Sequence, residues 1–326
     1  MNTINIGLIG CGHLGNIHAR LINEICKINT GFNFAGVYDI DENKKNETAA
    51  KYNTKGFGSF DELFDSVNTL VIVTSTSSHF EIAEKALAKN INLFIEKPVT
   101  SSLKEAERLI DISREMKVKI QVGHVERFNP ALTSLESFDM KPMFIESHRL
   151  AQFNPRGTDV SVIQDLMIHD IDIILHLVNS PLEKIDANGV AIISKNVDIA
   201  NARLTFQNGC VANVTASRIS LKKMRKMRIF QQNAYISIDF ASNKSEIFRL
   251  VDLNEKTDGL SYHVSESKKI IFEEPKIDNA ENINPIKNEL ETFFTSIIEN
   301  KPVKVSLAEG KQAVEVADKI MKIISS

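Results

Sequence analysis

No apolar run in the 326-residue chain approaches the roughly 18 residues that span a bilayer, which argues against a membrane protein. Neither sign of charge dominates. The 39 lysines and arginines are set against 42 aspartates and glutamates, for a net charge of −3. That balance gives no general electrostatic case for a nucleic-acid partner. Cysteine is scarce: Cys11, Cys26 and Cys210 cannot all pair, and their spacing is not that of metal ligands, so no metal site is expected. Met1-Asn2-Thr3-Ile4-Asn5 has no basic stretch ahead of an apolar segment, so no secretory signal is read there. Internal repeats and low-complexity tracts are missing as well. The expectation is a soluble, reduced, cytoplasmic protein. Its 43% hydrophobic and 25% charged residues are ordinary for globular chains, and its length suggests two domains.

The first third alternates β-rich runs with helical patterns, the mark of a doubly wound parallel sheet. Ile4–Ile9, Asn33–Tyr38, Thr69–Thr74, Ile91–Ile95 and Val118–Val122 read as buried strands. Leu14, Ile17, Leu21, Ile25 and Ile28 recur at helical spacing, and Ser102-Leu-Lys-Glu reads as a capping box that starts another helix. After about Gly123 the texture changes. Ala202, Leu204 and Phe206 alternate with polar residues, Asn208-Gly209 supplies a hairpin turn, and Cys210, Ala212, Val214 and Ala216 resume the alternation. Arg228–Gln232, Tyr235–Phe240 and Ile247–Asp252 also read as strands. One apolar and one polar face imply an open, largely antiparallel sheet in an α+β domain. Asn254 to Asn284 reads as loops with one short strand, and Lys287–Glu299 and Leu307–Ile324 as closing helices. The division expected is 1–123 for dinucleotide binding and 124–326 for substrate binding and oligomerisation.

Strand Ile4–Ile9 runs straight into Gly10-Cys11-Gly12-His13-Leu14-Gly15, followed by a helical pattern. The first glycine permits a tight turn and the second lets backbone amides approach a pyrophosphate. The third lets helix and strand pack closely, with the helix N-terminus facing the phosphate charge. Asp39 ends the next strand, 24 residues after Gly15. A carboxylate there accepts both ribose hydroxyls and repels a 2′-phosphate, which favours NAD over NADP. Lys44 and Lys45 are within reach of a 2′-phosphate, but helical lysines are usually just solvated.

Ile91–Ile95 leads into Glu96-Lys97-Pro98, so Lys97 stands at a strand's carboxyl end, where open parallel sheets bind their ligands. An ammonium there can hold a substrate hydroxyl and stabilise the alkoxide as hydride leaves. In the second half, Gln164–Leu177 is apolar nearly all round. At about 100° per residue, Asp165, His169, Asp172 and His176 fall in one stripe about 60° wide. A stripe on a buried helix must face a cavity, a partner group or an ion. A structural network, a metal site and a catalytic His–Asp pair are all open on this pattern.

Gly10–Gly15, Asp39, Thr74-Ser75-Thr76-Ser77-Ser78-His79, Glu96-Lys97-Pro98 and Gly123-His124-Val125-Glu126-Arg127-Phe128 stand in the order of the Gfo/Idh/MocA oxidoreductases. The chain resembles that family over essentially its whole length. The resemblance implies an N-terminal Rossmann domain and a C-terminal α+β domain whose open sheet joins a homodimer or homotetramer. It also implies NAD(P)-dependent oxidation of a sugar or polyol. Gly10, Gly12, His13, Leu14, Gly15, Asp39, Thr74, Ser75, Thr76, His79, Glu96 and Lys97 then hold the cofactor. Lys97 is the family's catalytic lysine, often followed by a cis proline. The family's Asp-x-x-x-His-x-x-Asp motif is matched by Asp165, His169 and Asp172, which favours catalysis, with His169 as base and Asp165 orienting it. Lys97 as the base stays open. Ser75 stands where the family often has proline, and Met167 where its motif usually has glycine.

Val122–Ala131 and Asp159–Asp172 are similar to the family's UDP-N-acetylglucosamine 3-dehydrogenase branch, which oxidises the sugar 3-hydroxyl. That likeness makes Arg127, Asn129, Arg156 and Asp172 candidates for holding a nucleotide sugar. The basic run Lys222, Lys223, Arg225, Lys226 and Arg228 is a further candidate for the diphosphate. Two alternatives are a dinucleotide-binding regulator of the same fold, without turnover, and an oxidoreductase for another polyol or a small carbonyl compound. The catalytic reading expects Lys97, Asp165 and His169 to converge beside the nicotinamide.

Overall fold

The computed structural model describes residues 3–154, 160–257, 260–275 and 283–325. The apolar runs of the first third form β1 (Ile4–Ile9), β2 (Phe32–Tyr38), β4 (Thr69–Ile72), β5 (Asn92–Glu96) and β6 (Ile120–Gly123), with a two-residue β3 (Lys55–Gly56) between β2 and β4. All pair in parallel, in the order β3-β2-β1-β4-β5-β6. The order reverses between β1 and β4, which opens a crevice at their carboxyl ends. Leu70, Val71 and Ile72 are fully buried, as a sheet covered on both faces requires. The connecting helices are α1 (His13–Ile28), α2 (Glu42–Tyr52), α3 (Phe60–Phe64), α4 (Thr76–Leu87) and α5 (Leu103–Met116). α1 turns Ala19, Leu21, Ile22 and Ile25 into the core. Ser102 and Glu105 form the reciprocal capping box of α5, a feature of about 0.5–2 kcal/mol.

The second unit carries a nine-stranded sheet. Its strands are β7 (Phe144–Leu150), β8 (Leu182–Val190), β9 (Ile199–Phe206), β10 (Val211–Ser217), β11 (Met224–Gln231), β12 (Ala234–Asp239), β13 (Lys244–Asp252), β14 (Ser261–His263) and β15 (Lys268–Glu273). They lie in the order β14-β15-β13-β12-β11-β7-β10-β9-β8. β7 and β10 are parallel, and the other pairs are antiparallel. Gly209 (φ +84°) makes the β9–β10 turn that Asn208-Gly209 announces. Ala202, Leu204, Phe206, Ala212, Val214 and Ala216 point to the buried face, and α7 (Ile168–Val178) packs there against β7 and β10. A single turn, α6 (Pro130–Thr133), precedes β7. Where one short strand was expected after Asn254 there are two, β14 and β15. The exposed Ser261, Tyr262 and His263 leave no apolar alternation to mark the first of them.

Two helices close the chain, α8 (Pro285–Ile298) and α9 (Leu307–Ser325). The units are Met1–Val125 with Asn284–Gln312, and Glu126–Ile283 with Ala313–Ser326. A contiguous second domain over 124–326 is therefore not what forms. Leu290, Phe293 and Phe294 of α8 join the first unit's core, where Phe294 meets Phe32 and Phe293 meets Phe94. An amphipathic helix does not state in its own sequence which of two cores it will cover. Among the described residues, no helix is long and apolar enough to cross a membrane. None of their His, Cys, Asp and Glu side chains group in threes suited to a metal ion.

Candidate active site

At the β1–β4 crevice, Gly10 has φ +98°, and a Cβ there would lie 2.5 Å from the Val73 carbonyl oxygen. A Cβ on Gly15 would lie 1.9 Å from the Gly10 oxygen, so only glycine lets α1 close onto the loop. At Gly12 a Cβ would meet nothing within 4 Å, which leaves open space directly above the helix start. Gly12 caps α1 without a side-chain hydrogen bond, and no acidic residue stands in the first turn. The first backbone N–H groups of α1 thus present positive charge to an anion.

Asp39 follows β2, and both its oxygens are held. Oδ2 accepts from the Cys11 N–H at 2.6 Å and Oδ1 from the Asp41 N–H at 2.8 Å. The fixed carboxylate lines a cleft of about 390 Å³ together with Gly10, Gly12, Tyr38, Thr74 and Ser75. Lys44 is paired with Asp41 at 3.2 Å, and the buried Lys45 with Glu42 at 2.7 Å. Neither lysine is set aside for a 2′-phosphate. Open space at Gly12, a bare helix start and a fixed acid fit a dinucleotide that carries free ribose hydroxyls. His13 and Leu14, on the first turn of α1, are exposed beside this loop.

Ser75 caps α4 with φ −67°, a value proline would share, so its presence in place of proline leaves the backbone as it would be. Ser78 Oγ donates to Thr74 Oγ1 at 2.8 Å, and Thr76 opens the helix. His79 is 1% exposed. Its Nδ1 lies 3.0 Å from the Pro98 carbonyl oxygen and its Nε2 3.1 Å from that of Thr74. Burial holds this imidazole below the usual histidine range, against the opposing pull of the Thr74 and Pro98 carbonyls and the Glu96 charge. Glu96 ends β5, Lys97 follows it, and the Lys97–Pro98 peptide is cis, as the resemblance implies. Cys11, Cys26 and Cys210 are free, with thiols pushed up to about 11 by burial.

The second unit holds the other candidates. Residues Ile163–Met167 form a π-helical turn before α7, so the uniform 100° spacing fails across it. Asp165 lies in the π turn and His169 in the first turn of α7, both half-buried. Met167, fully buried, closes the wide turn. The stripe read from the sequence is thereby broken. His176 is exposed, whereas Asp172 is 2% exposed and paired with Arg127, whose Nε donates to Asp172 Oδ2 at 2.8 Å.

Asp170, off the stripe, binds Arg149 at 2.8 Å, and Arg149 Nη1 also donates to Glu126 Oε1 at 2.7 Å. Burial opposes the charge on Arg149, but Asp170 and then Glu126 outweigh it and keep the guanidinium ionised. Asn129 Nδ2 donates to Glu126 Oε2 and to the Phe240 carbonyl oxygen, both at 3.1 Å. Arg127, Asn129 and Asp172, read as substrate contacts, each have partners inside the unit. Arg156 lies outside the described residues, as does Asp159. Sequence reasoning passed over Arg149 and Asp170. The one inward charge on β7 and the acid beside His169 were their only signals.

Residues 4–124 match the family model described as an oxidoreductase family with an NAD-binding Rossmann fold. Residues 141–237 match the GFO/IDH/MocA C-terminal domain. The chain is 40% identical to the UDP-N-acetylglucosamine 3-dehydrogenase of Acidithiobacillus ferrooxidans over 243 residues, 74% of this chain and 76% of that protein. A solved structure of that organism's enzyme superposes with a TM-score of 0.87 at 33% identity, covering 99% of this chain and 98% of the other. The myo-inositol 2-dehydrogenase of Thermotoga maritima is 24% identical, over 95% of this chain and 93% of its own. With a fixed acid after β2, a glycine cradle at the switch point and these matches, the chain belongs to the Gfo/Idh/MocA family of NAD-dependent oxidoreductases.

Proposed function

We infer that this enzyme oxidises the 3-hydroxyl of UDP-N-acetylglucosamine or a nucleotide sugar close to it. The observation that carries the reading is the 40% identity to an enzyme of that name over three quarters of both chains. Bound NAD supplies the hydride acceptor, held by the Gly10–Gly15 cradle and the Asp39 carboxylate. Lys97 Nζ holds the reacting oxygen, and the His169 imidazole takes its proton with Asp165 orienting the ring. The alternative assigns the base to Lys97 itself. Arg127 and Asp172 keep a supporting part, because their charges neutralise each other inside the unit. Arg156 remains the candidate for the diphosphate by its charge. With three free cysteines, two of them buried, the reading assigns the enzyme to the cytoplasm. It also assigns a homodimer or homotetramer to the open face of the second sheet, where half-exposed aromatic residues line up.

Initial rates with UDP-N-acetylglucosamine, free N-acetylglucosamine and myo-inositol, followed by NADH absorbance, test the substrate class. Turnover is expected with the nucleotide sugar and to fall at least tenfold without the nucleotide. Equal rates with myo-inositol would move the assignment to a polyol dehydrogenase. Lys97→Met and His169→Ala are each expected to lower kcat by about 10²–10⁴ while NADH affinity stays near wild type.

A further inference from the structure

Lys97 sits between two residues that are each anchored by a buried histidine from a different helix. On one side, Glu96 Oε1 lies 2.8 Å from His18 Nε2 on α1, and His18 is 0% exposed. The other oxygen, Oε2, accepts the Lys97 N–H at 3.2 Å. A Cβ on Gly123 would lie 3.0 Å from that same Glu96 oxygen, so the carboxylate occupies room that only a glycine leaves. His18 Nδ1 is buried without a hydrogen-bond partner, and the ring packs on Phe94 at 5.6 Å. A lone pair costs less there than a buried N–H, so the tautomer that donates from Nε2 to Glu96 fits.

On the other side, the Pro98 carbonyl faces His79 Nδ1 on α4, whose Nε2 faces the Thr74 carbonyl. A neutral imidazole has one N–H, and here both nitrogens face acceptors. The ring is shared between the Thr74 loop, which lines the dinucleotide cleft, and the turn that carries Lys97. Neither histidine opens to that cleft, so their work is done through the atoms they hold.

We propose that His18 and His79 are positioning residues for Lys97, His18 by fixing the Glu96 carboxylate and His79 by fixing the Pro98 carbonyl. This rests on the dehydrogenase reading above, in which Lys97 holds the reacting oxygen. Misplacing such a group by about 1 Å can cost up to about 10² in rate.

Amide side chains mimic one ring nitrogen each, which gives a paired test. In the full-length protein, His18→Gln keeps a donor near the Nε2 position and His18→Asn does not. His79→Asn keeps a donor toward Pro98, while His79→Gln keeps one toward Thr74. The expected order is a kcat about tenfold lower in His18→Asn and His79→Gln than in His18→Gln and His79→Asn. NADH affinity should stay within about threefold of wild type throughout. Amide hydrogen exchange at Lys97 and Val99 should quicken in the first two variants and not in β1. Equal kcat within each pair, or a kcat that only tracks Tm, would overturn the proposal. A wild-type enzyme inactive on nucleotide sugars refutes the nucleotide-sugar reading instead. Exchange at Lys97 and Val99 then decides the brace alone, and unchanged exchange in all four variants would overturn it.

Discussion

A carboxylate already held through both oxygens cannot swing aside to admit a phosphate. Asp39 is in that state, bound by the Cys11 and Asp41 amides, and the two nearby lysines are each paired with an acid. Asp39→Ala is therefore expected to weaken NADH and to narrow the gap to NADPH by at least tenfold, read from fluorescence titrations of both. An unchanged ratio would remove Asp39 from cofactor selection. His79 carries a different consequence. Burial holds its folded-state pKa below the ordinary 6.5, so below that pH the unfolded chain binds more protons than the native one. The stability tied to a neutral His79 is complete above pH 6.5 and declines as pH falls through and below it. Between about pH 7.5 and pH 5.5, wild type should lose more Tm than His79→Gln. Gly10, Gly12, Gly15, Asp39 and Lys97 were legible because their chemistry depends on chain neighbours. The roles of His18 and His79 were not, since each depends on an atom 19 or more residues away.

At the level of elements, the presentation of His169 turns on how α7 is held. Two arginines from outside the helix, Arg149 of β7 and Arg127, grip Asp170 and Asp172 on either side of Ile171. His169 stands next to the first of these acids, so the clamp sets the rotation of the helix that presents it. Arg149→Met should destabilise the protein by about 3–5 kcal/mol, because buried Asp170 loses its counter-charge and buried Glu126 keeps only Arg225, at 3.7 Å. Adding Asp170→Asn and Glu126→Gln should recover part of that loss in urea unfolding. An Arg149→Met variant as stable as wild type would show that the pairs are incidental. The helix itself was plain from its apolar periodicity. The π turn was not, because a uniform 100° step assumes the very geometry that Ile163–Met167 departs from. Membership of α8 in the first core was equally hidden, since helical spacing says that a face is buried and not against what.

The second sheet leaves one face partly bare, lined by a row of aromatic side chains. Phe144, Phe230, Tyr235, Phe248 and Phe272 form a cross-strand ladder over five strands, with ring centroids 5.0–6.0 Å apart. Phe230 is 38% exposed, and the neighbouring row pairs Arg228 with Glu146 at 2.8 Å. On the proposed reading, this aromatic row is the face that meets a second copy. Phe230→Glu should shift the mass measured by light scattering to that of one chain, with the fold kept. A wild-type mass already that of one chain, or a mass left unshifted by the substitution, would contradict this assignment. The alternation of small and apolar residues revealed the sheet's buried face at once. The ladder went unread because its members lie on five strands and meet only through register.

On the proposed function, hydride leaves carbon 3 of a nucleotide-linked N-acetylglucosamine. That step is tested most directly with UDP-N-acetylglucosamine carrying deuterium at that carbon, incubated with the enzyme and NAD, and mass analysis of the NADH formed. The NADH formed should carry the deuterium, and should be unlabelled when the label sits at carbon 2 or carbon 4. Deuterium arriving from either of those carbons, or NADH left unlabelled by the carbon-3 substrate, would contradict it.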